Sequence, residues 1–376
     1  MNGSFKIGTI YGIPVLLHWT FILIIPFFAW VIGSQIILTS DLISKLFAIG
    51  IDTSLIGSGI TPYVFGAVVA LGLFFGVFIH EMAHSVLAKS RGIRINSITL
   101  LIFGGISSME EQTPDPKIEL PMALVGPLTS LAVGIICIGI MYLCDAVIAA
   151  APVAGAFVFT FGYLGLLNVF LFGFNLLPAF PMDGGRVLRA WLARRMPLNK
   201  ATKIAADVGK VFAVVFGLVG IFLNPILILI AFFIYIGASQ ESTAVKYSFL
   251  LKDVTVGDIM AREVLTVQPD MTVRSVIDLM YATKHLGFPV ISRGIVVGMV
   301  TLADVHKIPS LDREAMQVRD IMTPGAITLP PSAPVIDALR IMSGSNIGRI
   351  PIMDGEILLG IVSRTDIMKV IELKEM

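Results

Sequence analysis

The chain has 376 residues, of which 56% are hydrophobic and only 14% charged, and its mean hydropathy is +0.89. Soluble domains carry roughly 25% charged residues, so the composition excludes an ordinary soluble protein and points to a membrane protein. A net charge of +1, with no basic stripe interleaved with aromatics, argues against a nucleic-acid partner.

Apolar runs of about 20 residues mark membrane helices. The expected crossings are 13–38, 62–88, 119–144 and 153–177, followed by a long run over 205–240. Asn224-Pro225 interrupts that last run; proline lacks a donor and crowds the preceding turn, so the run divides into two crossings. The expectation is an α-helical membrane domain of about six transmembrane helices over 1–248, then a soluble α/β module over 249–376. The first run exceeds the apolar core of a cleavable signal and is read as a membrane helix. His18 lies within it and reads as a structural histidine, while Gly72-x-x-x-Gly76 reads as helix packing. Gly126-Pro127 predicts a kink or a close contact. Cys137 and Cys144 lie two helical turns apart, about 10 Å and too far for a disulfide.

Lys and Arg concentrate in alternate loops: Lys89, Arg91, Arg94 and Lys117 after the second expected helix, and Arg186, Arg189, Arg194, Arg195, Lys200 and Lys203 after the fourth. The opposite side offers only Lys45. This asymmetry predicts a multi-pass protein of the cell membrane with both termini cytoplasmic.

The second expected helix contains His80-Glu81-x-x-His84 in an apolar run. On a helix, residues four apart share a face, so both imidazoles can reach one ion. Glu81 stands beside the first of them, where it can take a proton from metal-bound water. Zinc lowers that water's pKa from about 15.7 to about 7. Ionisable groups within hydrocarbon are costly and mark function. With this helix running toward the cytoplasm, the pair lies about 8–14 Å below that surface.

Residues 94–108 are rich in β-branched types and contain Gly104-Gly105, which predicts one or two strands with a flexible break. An open strand edge cannot face lipid. It is either a structural hairpin or a template onto which an extended substrate adds as a strand, at Gly104 and Gly105. After the fourth helix comes Asn175-Leu-Leu-Pro178-Ala-Phe-Pro181-Met-Asp183-Gly184-Gly185. Such irregular backbone at membrane depth is tolerated only beside protein or a cavity. A catalytic zinc needs three protein ligands and an open position, and Asp183 is the natural third. The alternative is that Asp183 caps the helix that follows.

From about Lys252 the pattern becomes soluble, and a repeat appears. Val256-Gly-Asp258-Ile-Met260 recurs as Val318-Arg-Asp320-Ile-Met322, Phe288-Pro289-Val290 as Ile350-Pro351-Ile352, and Gly298-Met-Val-Thr301-Leu-Ala-Asp304 as Gly360-Ile-Val-Ser363-Arg-Thr-Asp366, always 62 residues on. Each copy, about 252–310 and 314–376, reads as helix, strand, strand, helix. The helix N-termini at the sheet ends suit a phosphorylated ligand.

The histidine pair together with Asn175-x-x-Pro178-x-x-Pro181-x-Asp183-Gly184-Gly185 resembles the site-2 protease family of intramembrane zinc metalloproteases, over about residues 1–245. The repeat resembles a tandem CBS-domain pair, as in one branch of that family. The resemblance implies one Zn2+ held by His80, His84 and Asp183, with Glu81 as general base. It also implies that Asn175 holds the substrate carbonyl or oxyanion, with Asn168 in a supporting position. In nucleotide-binding CBS modules a Ser/Thr-x-x-Asp element contacts ribose, which Thr301 with Asp304, and Ser363 with Asp366, would match. The expected partners are a membrane-protein substrate, the lipid bilayer, ATP or AMP at the CBS pair, and a second copy in a homodimer. No loop carries a PDZ-like insertion, so substrate selection by one is not expected. The implied activity is regulated intramembrane proteolysis modulated by an adenine nucleotide. The rival reading, an ion or metal transporter gated by its CBS pair, lacks a second polar layer across the bilayer. A catalytically silent relative is disfavoured because the base and all three ligands are present.

Overall fold

The computed structural model describes residues 3–101, 104–109 and 115–376, and the chain divides into two compact units, Met1–Ser242 and Thr243–Met376. The first unit opens with a hairpin of β1 (Ser4–Ile10) and β2 (Ile13–His18), in which Ile10 pairs with Ile13. Between them Tyr11 and Gly12 both have positive φ, 51° and 74°, as a two-residue type I′ turn requires. This corrects the expected crossing over 13–38: its first six residues are a strand. A short, wholly apolar run does not disclose its own period, and Ile13–His18 is such a run until its last residue. Helix α1 (Thr20–Ser34) follows and meets α2 (Ile36–Phe47) at a 67° bend. The bend falls at Gln35, directly after Gly33-Ser34; on its two sides Ser34 Oγ donates to the Val31 carbonyl and Thr39 Oγ1 to that of Gln35. Gly/Ser pairs and such back-bonding both bend helices.

Helix α3 (Thr61–Ser90) carries Pro62 in its first turn and packs against α1. β3 (Ile95–Leu101) and β4 (Gly104–Met109) complete a four-stranded sheet in the order β1-β2-β3-β4, with β2 and β3 parallel and the other pairs antiparallel. Two strands are therefore present, and Gly104 and Gly105 lie inside β4 rather than in the expected break. Residues 102 and 103 lie outside the described residues. Among the described residues β4 pairs on one side only and is an edge.

Helix α4 (Pro116–Val147) starts at a cap, Asp115 accepting from the Lys117 N–H, with Pro116 at the first helical position. There the missing proline donor costs nothing. α5 (Ala151–Asn175), α6 (Asp183–Leu192), α7 (Leu198–Phe222) and α8 (Pro225–Leu250) follow. The chain breaks at Asn224-Pro225 as expected, with Asn224 Oδ1 accepting from the Ile226 N–H. Among the described residues, α3, α4, α5, α7 and α8 are long and apolar enough to cross a membrane, and α1–α2 makes a sixth if the bent pair is one span. Ile32, Ile36, Ile43, Val69, Met141 and Phe159 form the interior between α1–α2, α3, α4 and α5. Gly72 and Gly76 face Leu164 and Asn168 of α5, which is the packing role expected of that pair. Cys137 and Cys144 are both free thiols.

The second unit contains α9 (Val256–Ile259), α10 (Val273–Thr283), β5 (Gly287–Ser292), β6 (Ile295–Thr301) and α11 (Leu302–His306), then α12 (Val318–Ile321), β7 (Thr323–Pro324), α13 (Val335–Gly344), β8 (Arg349–Asp354), β9 (Ile357–Ser363) and α14 (Arg364–Glu375). The two copies clasp one another reciprocally. Met299 of β6 pairs with Thr323, and Ala261 bridges to Ile361 of β9. Each pair becomes the other under the 62-residue offset. The same holds for the Thr255–Pro334 and Thr272–Gln317 bridges. Val256 N–H donates to the Ala333 carbonyl and Val318 N–H to that of Met271. Two apolar clusters result, around Ile350 and Ile352 in one copy and around Phe288 and Val290 in the other.

Candidate metal centre

Helix α3 is the central element of the first unit, packing on α1, α4, α5, β3 and β4. It presents His80 and His84 on one face, 4% and 6% exposed. The irregular stretch after α5 returns the chain so that Asp183, the first residue of α6, meets them. Asp183 Oδ2 lies 3.1 Å from His80 Nε2 and 3.2 Å from His84 Nε2, and the two Nε2 atoms are 3.1 Å apart. Met182, not Asp183, holds the N-cap position of α6, and the Asp183 carboxylate is turned toward the two imidazoles.

The tautomers follow from the outer partners. His84 Nδ1 lies 2.7 Å from the Met122 carbonyl oxygen, which can only accept. Nδ1 therefore carries a proton, and in the neutral imidazole Nε2 turns a lone pair inward. His80 Nδ1 is 2.9 Å from Ser130 Oγ. A carboxylate oxygen and two imidazole nitrogens thus converge on one point. Ligands held tetrahedrally at 2.0–2.1 Å from zinc stand about 3.3 Å apart, close to the spacing found. The donor chemistry and the outer hydrogen bonds fit a zinc site, and these are the His80, His84 and Asp183 donors that converge within 4.8 Å of one another.

Two glycines let neighbouring elements approach this centre. Gly126 of α4 lies so close that a methyl group there would strike Nε2 of both histidines. The contact expected of Gly126-Pro127 is therefore with the metal centre itself. Gly126→Ala should force the imidazoles apart and lower the zinc content of purified protein by at least about tenfold, measured by metal analysis after dialysis; unchanged zinc would contradict this. Gly105 of β4 lies against the Glu81 side chain, where a Cβ would meet Cγ, and Ser85 Oγ pairs with Ser107 Oγ at 2.7 Å. Glu81 is half-buried and faces the edge strand, beside the three donors but not among them.

Other residues singled out in the sequence stand elsewhere. Asn175 ends α5 and donates through Nδ2 to the Leu171 carbonyl at 2.9 Å; no hydrogen bond among the described residues joins it to the three donors. Asn168 is buried against Gly76, its Nδ2 donating to the Leu164 carbonyl. His18 spends Nδ1 on Thr20 Oγ1. Thr301 with Asp304, and Ser363 with Asp366, form capping boxes at the starts of α11 and α14, each hydroxyl donating to the carboxylate at 2.6 Å. The sequence reading missed Ser130, which could have been found one turn beyond Gly126 on the same helix face. It also missed the burial of Arg189 and Glu119.

The profile of peptidase family M50 matches residues 68–150 and 141–216, and that of the CBS domain matches 256–310 and 318–373. Zinc metalloprotease MJ0392 of Methanocaldococcus jannaschii is 36% identical over 379 aligned positions, covering 100% of this chain and 99% of its own. The chain belongs to peptidase family M50. A putative zinc metalloprotease of Mycobacterium tuberculosis, Rip3, is 28% identical, covering 99% of this M50 peptidase and 94% of itself. Among solved structures, a site-2 protease from Methanocaldococcus jannaschii is 38% identical, covers 64% of this chain and 95% of its own, and superposes with a TM-score of 0.42. This M50 peptidase is a zinc metalloprotease of the site-2 protease type, with several long apolar helices and a tandem CBS pair.

Proposed function

We propose that this metalloprotease hydrolyses a peptide bond within or beside a transmembrane helix of a membrane-protein substrate. The observation that carries the reading is the convergence of His80 Nε2, His84 Nε2 and Asp183 Oδ2 beside Glu81, with Glu81 lying against the edge strand β4. Bound zinc would supply a water of lowered pKa and polarise the scissile carbonyl. A substrate helix hides its carbonyls in its own hydrogen bonds, so it must unwind. The edge of β4 at Gly104 and Gly105, unpaired among the described residues, offers main-chain partners that hold such a segment extended. Glu81 then removes the water's proton as attack proceeds and returns it to the leaving amine. Asn175 keeps one amide N–H beyond its bond to Leu171, and its role in this reading is to donate to the developing oxyanion. The distribution of Lys and Arg supports an opening toward the cytoplasm, with both termini on that side. The deciding experiment is reconstitution in liposomes with a single-pass substrate: the wild type should release fragments whose new termini lie in or next to the apolar segment. Cleavage confined to soluble loops would overturn the reading.

Modulation by an adenine nucleotide is the second part of the proposal. Its support is the recurrence of Thr301-x-x-Asp304 and Ser363-x-x-Asp366 at equivalent strand-to-helix junctions. AMP at millimolar concentration should raise the unfolding temperature of the second unit within the full chain, and Asp304→Asn with Asp366→Asn should remove that rise. No shift with AMP or ATP would exclude an adenine nucleotide.

A further inference from the structure

The helix that supplies Asp183 is fastened by a side chain that does not reach the metal donors. Arg189 of α6 is 4% exposed. Its Nε and Nη2 both donate to Oε1 of Glu119 in α4, and its Nη1 donates to Oε1 of Glu241 in α8 at 2.5 Å. Its guanidinium also lies 5.0 Å from the centre of the Phe180 ring. One cation is thus set between two carboxylates, and Glu119 Oε2 is buried with no partner among the described residues. Buried ion pairs are often no more stabilising than apolar side chains of the same size, and an excess of one anion makes this arrangement less favourable still. Stability is a weak account of it; placement is a better one.

Placement is what the neighbouring atoms require. α4 orients His84 through the Met122 carbonyl and His80 through Ser130. Glu119, one turn before Met122 on that same helix, holds α6. We propose that Arg189 is a positioning residue: by fastening α6 to α4 and α8 it sets Asp183 at the distance from both imidazoles that zinc needs. The inference rests on the reading of His80, His84 and Asp183 as the metal ligands. It also gives α8 a share in the metal centre.

The test uses full-length protein with zinc and cobalt as probes. Arg189→Ala would leave two carboxylates facing one another and is unsuitable alone. Arg189→Lys keeps the charge but lacks the planar fork that serves two carboxylates at once. Glu241→Gln removes one anion yet retains an acceptor oxygen. Zinc affinity is measured by chelator competition, the geometry by the visible absorption of the Co2+-loaded protein, and folding by the unfolding temperature without metal. Both variants should bind zinc about 10–100-fold more weakly, as loss of an outer partner does, and should shift the cobalt bands, with Glu241→Gln unfolding at the wild-type temperature. Wild-type zinc affinity and cobalt spectrum in Arg189→Lys would overturn the proposal, including when the unfolding temperature falls. A weakened Arg189→Lys beside an unchanged Glu241→Gln would remove α8 from it. If Asp183→Ala also bound zinc normally, the fault would lie with the ligand assignment and not with Arg189.

Discussion

Glu81→Gln is expected to retain its zinc and to lose cleavage by about 10²–10⁴-fold, the usual worth of a general base. The three donors that converge are His80, His84 and Asp183, so the substitution leaves the proposed ligand set intact. Glutamine has nearly the volume of glutamate, and the contact with Gly105 is kept. What it cannot do is take a proton from water, because its amide holds no basic site in this range. Metal analysis and the rate of fragment release from a reconstituted substrate check the two halves separately. A variant that cut at the wild-type rate would show that another group accepts the proton.

The second large effect concerns the carboxylate. Asp183→Ala should reduce bound zinc from one per chain to background and abolish cleavage with it. Two imidazoles alone fall short of the three protein ligands that a catalytic zinc site employs, and the donor lost is the one lying 3.1 and 3.2 Å from the two that stay. The alanine opens space but creates no unpaired buried charge, so the fold should survive. Zinc content measured beside far-UV circular dichroism distinguishes loss of metal from loss of structure. Full zinc occupancy in this variant would dismiss Asp183 as a ligand.

What could be read from the sequence, and what could not, follows from how each signal is written. The convergence of His80 and His84 was legible because side chains four apart on a helix share a face. Asp183 was legible through its surroundings, since two prolines and two glycines at membrane depth demand a protein-lined site. The break at Asn224-Pro225 was legible for the same local reason. The N-terminal hairpin was not, because Ile13–His18 shows no alternation and merges with the apolar α1. Its one cue, the positive-φ turn at Tyr11-Gly12, is a poorer signal than Asn-Gly. The partnership of Arg189 with Glu119 and Glu241 was hidden because each residue taken alone looks like a solvated charge near a membrane surface. Ser/Thr-x-x-Asp was visible twice, yet the pattern does not distinguish a ribose contact from a capping box, and the side chains form the latter.

The reciprocal clasp between the two copies of the second unit makes them a single cooperative element. Thr323 borders the sheet of the first copy, and Ala261 borders that of the second. Half of such a pair is not a smaller edition of the whole; it is a sheet with its margin torn off, exposing the backbone groups that invite aggregation. Anything that loosens one copy therefore frays the seam of the other, and no dedicated wire between them is needed.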